Sequence, residues 1–119
     1  MNENAVLNKR FLFALEMIKA YKYLAEERRE FVMSKQLLRS GTAVGALVRE
    51  AQNAESKMDF VHKLGIAQKE CDETVYWLEL LFQSKYLDQL AFEAYYSKAS
   101  ELLKLIKSII ISTKGNLKK

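Results

Sequence analysis

The chain has 119 residues, no proline, four glycines and one cysteine, a size for one domain with a modest core and a composition short of turns. A lone cysteine excludes an internal disulfide, and the most apolar run, LLKLIKSIII, is cut by Lys104 and Lys107 and too short to span a membrane, so a soluble cytoplasmic protein is expected. The net charge is +4, but Lys114, Lys118 and Lys119 sit in a tail expected to fray, and the body holds 16 cations against 15 carboxylates, so total basicity is a weak argument for nucleic acid.

From Ala5 to Val32 the residues Leu7, Phe11, Ala14, Ile18, Tyr21 and Ala25 recur at alternating steps of four and three, flanked by Leu15 and Leu24. This spacing predicts an amphipathic first helix over about 5–32 with that stripe facing the core. Ser34 is placed to cap a second helix over about 35–54, with Leu37, Gly41, Val44, Val48 and Ala51 on one side. Ser56 followed by Asp59 resembles a capping box and opens a third helix over about 57–84. Its stripe runs Phe60, Leu64, Ala67, Cys71, Thr74, Leu78 and Leu81, widened by Val61, Val75 and Phe82. Asp88 is placed to cap a fourth helix over about 88–113, with Gly115 and Asn116 as stop signals.

Four such helices on short links predict an all-α, antiparallel up-down-up-down four-helix bundle occupying residues 1–119 as one domain. Strand signals, whether period-two alternation or hairpin turn pairs, are missing. In the fourth helix Leu102, Leu103, Leu105, Ile106, Ile109, Ile110 and Ile111 occupy more of the circumference than one core face needs, and Tyr76 and Trp77 lie off the main stripe of the third. That surplus predicts self-association.

Gly41 and Gly45 cost a helix interior roughly 1 kcal/mol each. GTAVG is not a phosphate-binding loop, which needs four residues between its glycines and then Lys followed by Ser or Thr. Glycines four apart share a face and let a neighbouring backbone approach, within the bundle or between subunits. Lys35, Arg39, Thr42, Ala46, Arg49 and Asn53 fall in another arc of the same helix, where the cations can track phosphates, pair with carboxylates such as Glu50, or stand solvated. With Lys57 and Lys63, the candidate nucleic-acid contacts are Lys35, Arg39, Arg49, Lys57 and Lys63.

Glu70, Glu73 and His62 carry the residue types of di-iron bundles, but the single histidine follows Asp59 rather than Glu and has no second copy, so no metal or other cofactor is expected. Cys71 lies on the core stripe without a histidine at contact spacing, and no Ser or Thr has a base beside it, so the chain reads as non-enzymatic.

The segment from position 35 to 81, KQLLRSGTAVGALVREAQNAESKMDFVHKLGIAQKECDETVYWLELL, resembles the bacterial four-helix-bundle family of 23S rRNA intervening-sequence proteins. QLLRSGT, REAQNAESKMDF, HKL and ETVYWLELL carry the likeness, with NKRFLFAL and ELLKLIKSII matching more loosely. The resemblance implies a ring, typically a homopentamer. It is also similar to the accessory protein of diversity-generating retroelements, a basic pentamer that binds nucleic acid and a reverse transcriptase, which implies RNA or DNA and such a protein as partners. Carried over by position, the family's small-residue helix corresponds to Ser40, Gly41, Thr42, Gly45 and Ala46, and its charged positions to Arg39, Arg49 and Glu50. Ala43, Val44 and Leu47 depart from the family's pattern and remove a serine and an asparagine from this helix.

Overall fold

The computed structural model describes residues 2–117, and the side chains of residues 5–116. Four helices follow one another, α1 (Asn2–Glu26), α2 (Met33–Ala51), α3 (Lys57–Gln83) and α4 (Gln89–Leu117), and no strand occurs among the described residues. Each helix packs on its neighbours in the chain, and α4 closes on α1 through the lightest seam, giving the up-down-up-down bundle, 51 × 21 × 19 Å. The long axis agrees with 29 residues of α4 at about 1.5 Å each.

The helix ends show how local chemistry sets the corners. In the first corner α1 stops at Glu26, short of the expected 32, because Arg29 takes a left-handed φ of 56° and the Glu30 amide closes on the Leu24 carbonyl at 2.9 Å. The cap of α2 is then Glu30, not Ser34. Its buried carboxylate accepts from the amides of Val32, Met33 and Ser34 at 3.2, 3.1 and 2.7 Å. Ser34 lies inside the helix, buried, and its hydroxyl donates back to the Glu30 carbonyl at 2.6 Å. The amides of the N-cap Val32 and of the first two α2 residues thus find acceptors in one carboxylate, at the helix end that favours negative charge.

The α2–α3 corner follows the capping-box expectation in part. The Asp59 amide donates to Ser56 Oγ at 3.0 Å, while the Asp59 carboxylate accepts from the amide of Glu55 at 3.2 Å. α3 ends in a Schellman motif, with Lys85 left-handed at φ 71°, its amide on the Phe82 carbonyl at 3.0 Å and the Tyr86 amide on the Leu81 carbonyl at 2.8 Å. Arg28 locks the two neighbouring corners together by donating to the carbonyls of Lys85 and Tyr86 at 3.1 and 2.8 Å. Asp88 caps α4 by accepting from the Ala91 amide at 2.8 Å. Gly115 and Asn116 do not stop α4, since no glycine adopts positive φ and the helix continues to Leu117. Lys114 is therefore helical, and Lys118 and Lys119 of the expected tail lie outside the described residues.

The core of α3 is the stripe Leu64, Ala67, Cys71, Thr74, Leu78 and Leu81. That of α1 is a different stripe from the expected one: Val6, Phe13, Met17, Ala20 and Leu24 are buried, whereas Phe11 is 56% exposed and Ile18 38%. α1 is apolar nearly all round, so two stripes satisfy the same 3.6-residue period. Met17 meeting Gly41 picks between them. A Cβ on Gly41 would overlap the Met17 side chain, and one on Gly45 would lie 3.3 Å from the Arg10 carbonyl oxygen, so the two glycines let α1 approach α2 closely.

The apolar surplus moves accordingly. α4 wedges between α3 and α1 and uses two faces, burying Leu102, Ile106, Ile109 and Ile110 and half-burying Leu103 and Leu105, with Ile111 left in solvent. The larger uncovered surface is instead Phe11, Leu12, Leu15 and Ile18 of α1.

Candidate nucleic-acid interface

The outward arc of α2 places Lys35, Arg39, Ala46 and Arg49 in solvent, with Thr42 half-buried and its hydroxyl donating to the Leu38 carbonyl at 2.7 Å; Asn53, expected on the same arc, is exposed in the turn after α2 ends at Ala51. Lys35 and Arg49 stand about 21 Å apart along the helix axis. Lys57 opens α3, and Lys63 lies further along it. The five cations form a strip over two helices rather than one cluster.

Two of the five are engaged by carboxylates. Arg39 donates to Gln36 Oε1 and Glu70 Oε1, each at 3.2 Å, and pairs closely with Glu73. Glu73 Oε2 also accepts from the Trp77 indole at 3.0 Å. The Trp77 indole and the Arg39 guanidinium together hold the Glu73 carboxylate below its usual range, and the Glu73 bond raises Arg39 above its own. Lys63 pairs with Glu50 at 3.5 Å, across the same α2–α3 seam. Arg39 and Lys63 therefore work as clips between helices, at exposed sites where an ion pair adds at most about 1 kcal/mol. Lys35, Arg49 and Lys57 make no ion pair among the described residues.

The partners of Arg39 were only partly readable beforehand. Glu73 and Trp77 stand four residues apart, a helical contact spacing. The alignment of Glu70 and Glu73 with Arg39 depends on how α2 and α3 slide past one another, which no local pattern records. The same seam holds a buried polar contact, with Thr74 and Ser40 hydroxyls 2.9 Å apart.

Cys71 Sγ lies 3.5 Å from the Ala99 carbonyl, and burial pushes its thiol up to about 12. His62 is exposed. Among the described residues no group of three or more His, Cys, Asp and Glu could hold a metal ion, and no helix is long and apolar enough to cross a membrane.

Against this geometry, the sequence profile described as 23S rRNA-intervening sequence protein matches residues 2–108. The chain belongs to that family. Among solved structures it is similar to a protein with unknown function from the S23 ribosomal protein family of Bacteroides thetaiotaomicron, seen at 1.70 Å. The TM-score is 0.91 and the sequence identity 48%, over 92% of this chain and 98% of that one. No curated protein matches. The four-helix fold is thus shared with that structural neighbour over 92% of this chain.

Proposed function

We propose that this protein is a non-enzymatic, cytoplasmic homo-oligomer that binds RNA or DNA through basic surface residues. The observation that carries the reading is that Lys35, Arg49 and Lys57 stand in solvent with no carboxylate partner among the described residues. Uncompensated cations attract phosphates by releasing condensed counterions. The exposed ridge of Phe11, Leu12, Leu15 and Ile18 supports assembly, since apolar residues on a helix face opposite its core are normally covered. A pentamer, the form the resemblance implies, would repeat the cations around a ring and raise affinity through multivalency.

Filter binding of RNA and DNA over a salt series tests the reading. Retention should be clear at about 50 mM salt and fall steeply toward about 200 mM. No retention at the lower salt refutes nucleic-acid binding. Light scattering that reports a monomer at micromolar concentration refutes the assembly.

The α1 ridge also favours a second reading, a scaffold that docks a protein partner, such as a reverse transcriptase, without touching nucleic acid. Pull-down with and without nuclease separates the two, because a partner held through nucleic acid is lost on digestion.

A further inference from the structure

After Glu101 the sequence contains no Asp or Glu, while Lys104, Lys107, Lys114, Lys118 and Lys119 follow. In the structure Lys104 and Lys107 stand exposed on the outer side of α4 and, with Ser108, Ile111 and Ser112, line a depression of about 480 Å³. Ser108 and Ser112 are also one wall of a deeper cleft of about 620 Å³, whose opposite wall is the α2–α3 corner, with Gln52, Ser56 and Lys57. The two hollows adjoin at those serines, which stand between them on α4. Phe60 and Ile109 give the cleft an apolar lining beside its hydroxyls and amides.

Neither hollow is lined by a carboxylate; Lys57 lines the cleft, and Lys104 and Lys107 line the depression. None of the three lysines makes an ion pair among the described residues. The acidic residues of the corner, Glu55 and Asp59, are outside the lining, and the Asp59 carboxylate is engaged by the Glu55 amide. The Ser56 side chain already receives the Asp59 amide, so side chains on α4 and at Lys57, not a bare helix end, give the two hollows their character.

Resting on the nucleic-acid reading above, we propose that the surface running from one hollow to the other across Ser108 and Ser112, and not the outer face of α2, is the main path of a bound single strand of RNA or DNA. Lys104, Lys107 and Lys57 contact successive phosphates, and the Ser108 and Ser112 hydroxyls donate to phosphate oxygens between them. Phe60 and Ile109 offer apolar surface to a base or sugar, as strand-binding grooves do. The contrast with the α2–α3 face is electrostatic: there Arg39 of α2 is neutralised by two carboxylates and Lys63 of α3 by Glu50, which leaves Lys35 and Arg49 about 21 Å apart along α2 as that helix's unpaired cations among the described residues.

Fluorescence anisotropy of a labelled oligothymidylate or oligouridylate, titrated with the full chain at about 50 and 200 mM salt, tests the path. The triple variant Lys57→Gln, Lys104→Gln, Lys107→Gln should lose about 2 from the slope of log affinity against log salt, at ~0.7 per contact for single strands. Over that fourfold salt range the wild type then weakens about 20-fold more than the variant. The double variant Lys35→Gln, Arg49→Gln should change the slope less. Ser112→Glu, which places a carboxylate on the shared wall, should weaken binding without altering the helical circular dichroism. A triple variant with the wild-type slope, beside a double variant that loses it, overturns the path while leaving nucleic-acid binding intact. No anisotropy change with the wild type at the lower salt removes the underlying reading as well.

Discussion

Glu30→Ala should be among the most destabilising single changes at the corners of the bundle. Glu30 is 7% exposed, and its carboxylate accepts from the amides of Val32, Met33 and Ser34. Two of them, from Val32 and Met33, lie where water can replace the lost oxygen, since Val32 is itself 74% exposed. The Ser34 amide cannot be rehydrated in place, because Ser34 is fully buried. One orphaned buried donor costs about 1–3 kcal/mol, and the lost cap costs about 1 kcal/mol more. The sum, about 2–4 kcal/mol, is a large part of the 5–15 kcal/mol typical of a domain. Urea unfolding followed by circular dichroism, at one fixed protein concentration, should show a lower midpoint with an unchanged slope. Glu30→Gln keeps one acceptor oxygen and should fall between the two, while exposed Glu27→Ala should match the wild type. A Glu30→Ala protein within about 0.5 kcal/mol of the wild type would refute the capping role, because surface changes without a structural role fall in that range.

Two further expectations concern packing and pH. Gly41→Ala should destabilise by about 1–2 kcal/mol, as the overlap with buried Met17 outweighs the gain in helix propensity, whereas Gly65→Ala should stabilise by about 0.5–1 kcal/mol, since open space surrounds that position; equal signs in urea unfolding contradict the close approach. The Glu73 carboxylate has a lowered folded-state pKa, so its bonds to Trp77 and Arg39 hold at neutral pH and disappear only as pH falls through that lowered value. Trp77 is the single tryptophan, so its fluorescence should report the change with a midpoint below the usual glutamate value of about 4.3. A midpoint at or above that value contradicts the arrangement.

Much of the architecture was legible because it depends on neighbours in the chain. The core stripe of α3, the Ser56 contact and the Asp88 cap are set by spacing and by side-chain-to-amide bonds spanning three residues. Glu30 is not legible as a cap in the sequence because it stands two residues before the N-cap Val32, and only the fold of the corner brings it back. The candidate interface was legible as a list of cations but not as a distribution of free charge. Arg39 and Lys63 looked like phosphate contacts until α3 supplied their carboxylates. The acid-free end of α4 was visible in the sequence, but its meeting with Lys57 was not.

By itself, then, the sequence determined that four helices form, roughly where they turn, and that α2 carries two glycines fit for close approach. Local hydrogen bonds and a 3.6-residue period suffice for that. Tertiary structure alone decided which of two equivalent stripes of α1 is buried, which cations are neutralised, and that the hollow lined by Lys104 and Lys107 adjoins the cleft lined by Lys57. Each of those depends on the rotation and sliding of one helix against another. The contact between Met17 and Gly41, absent from any local window, sets the first of them.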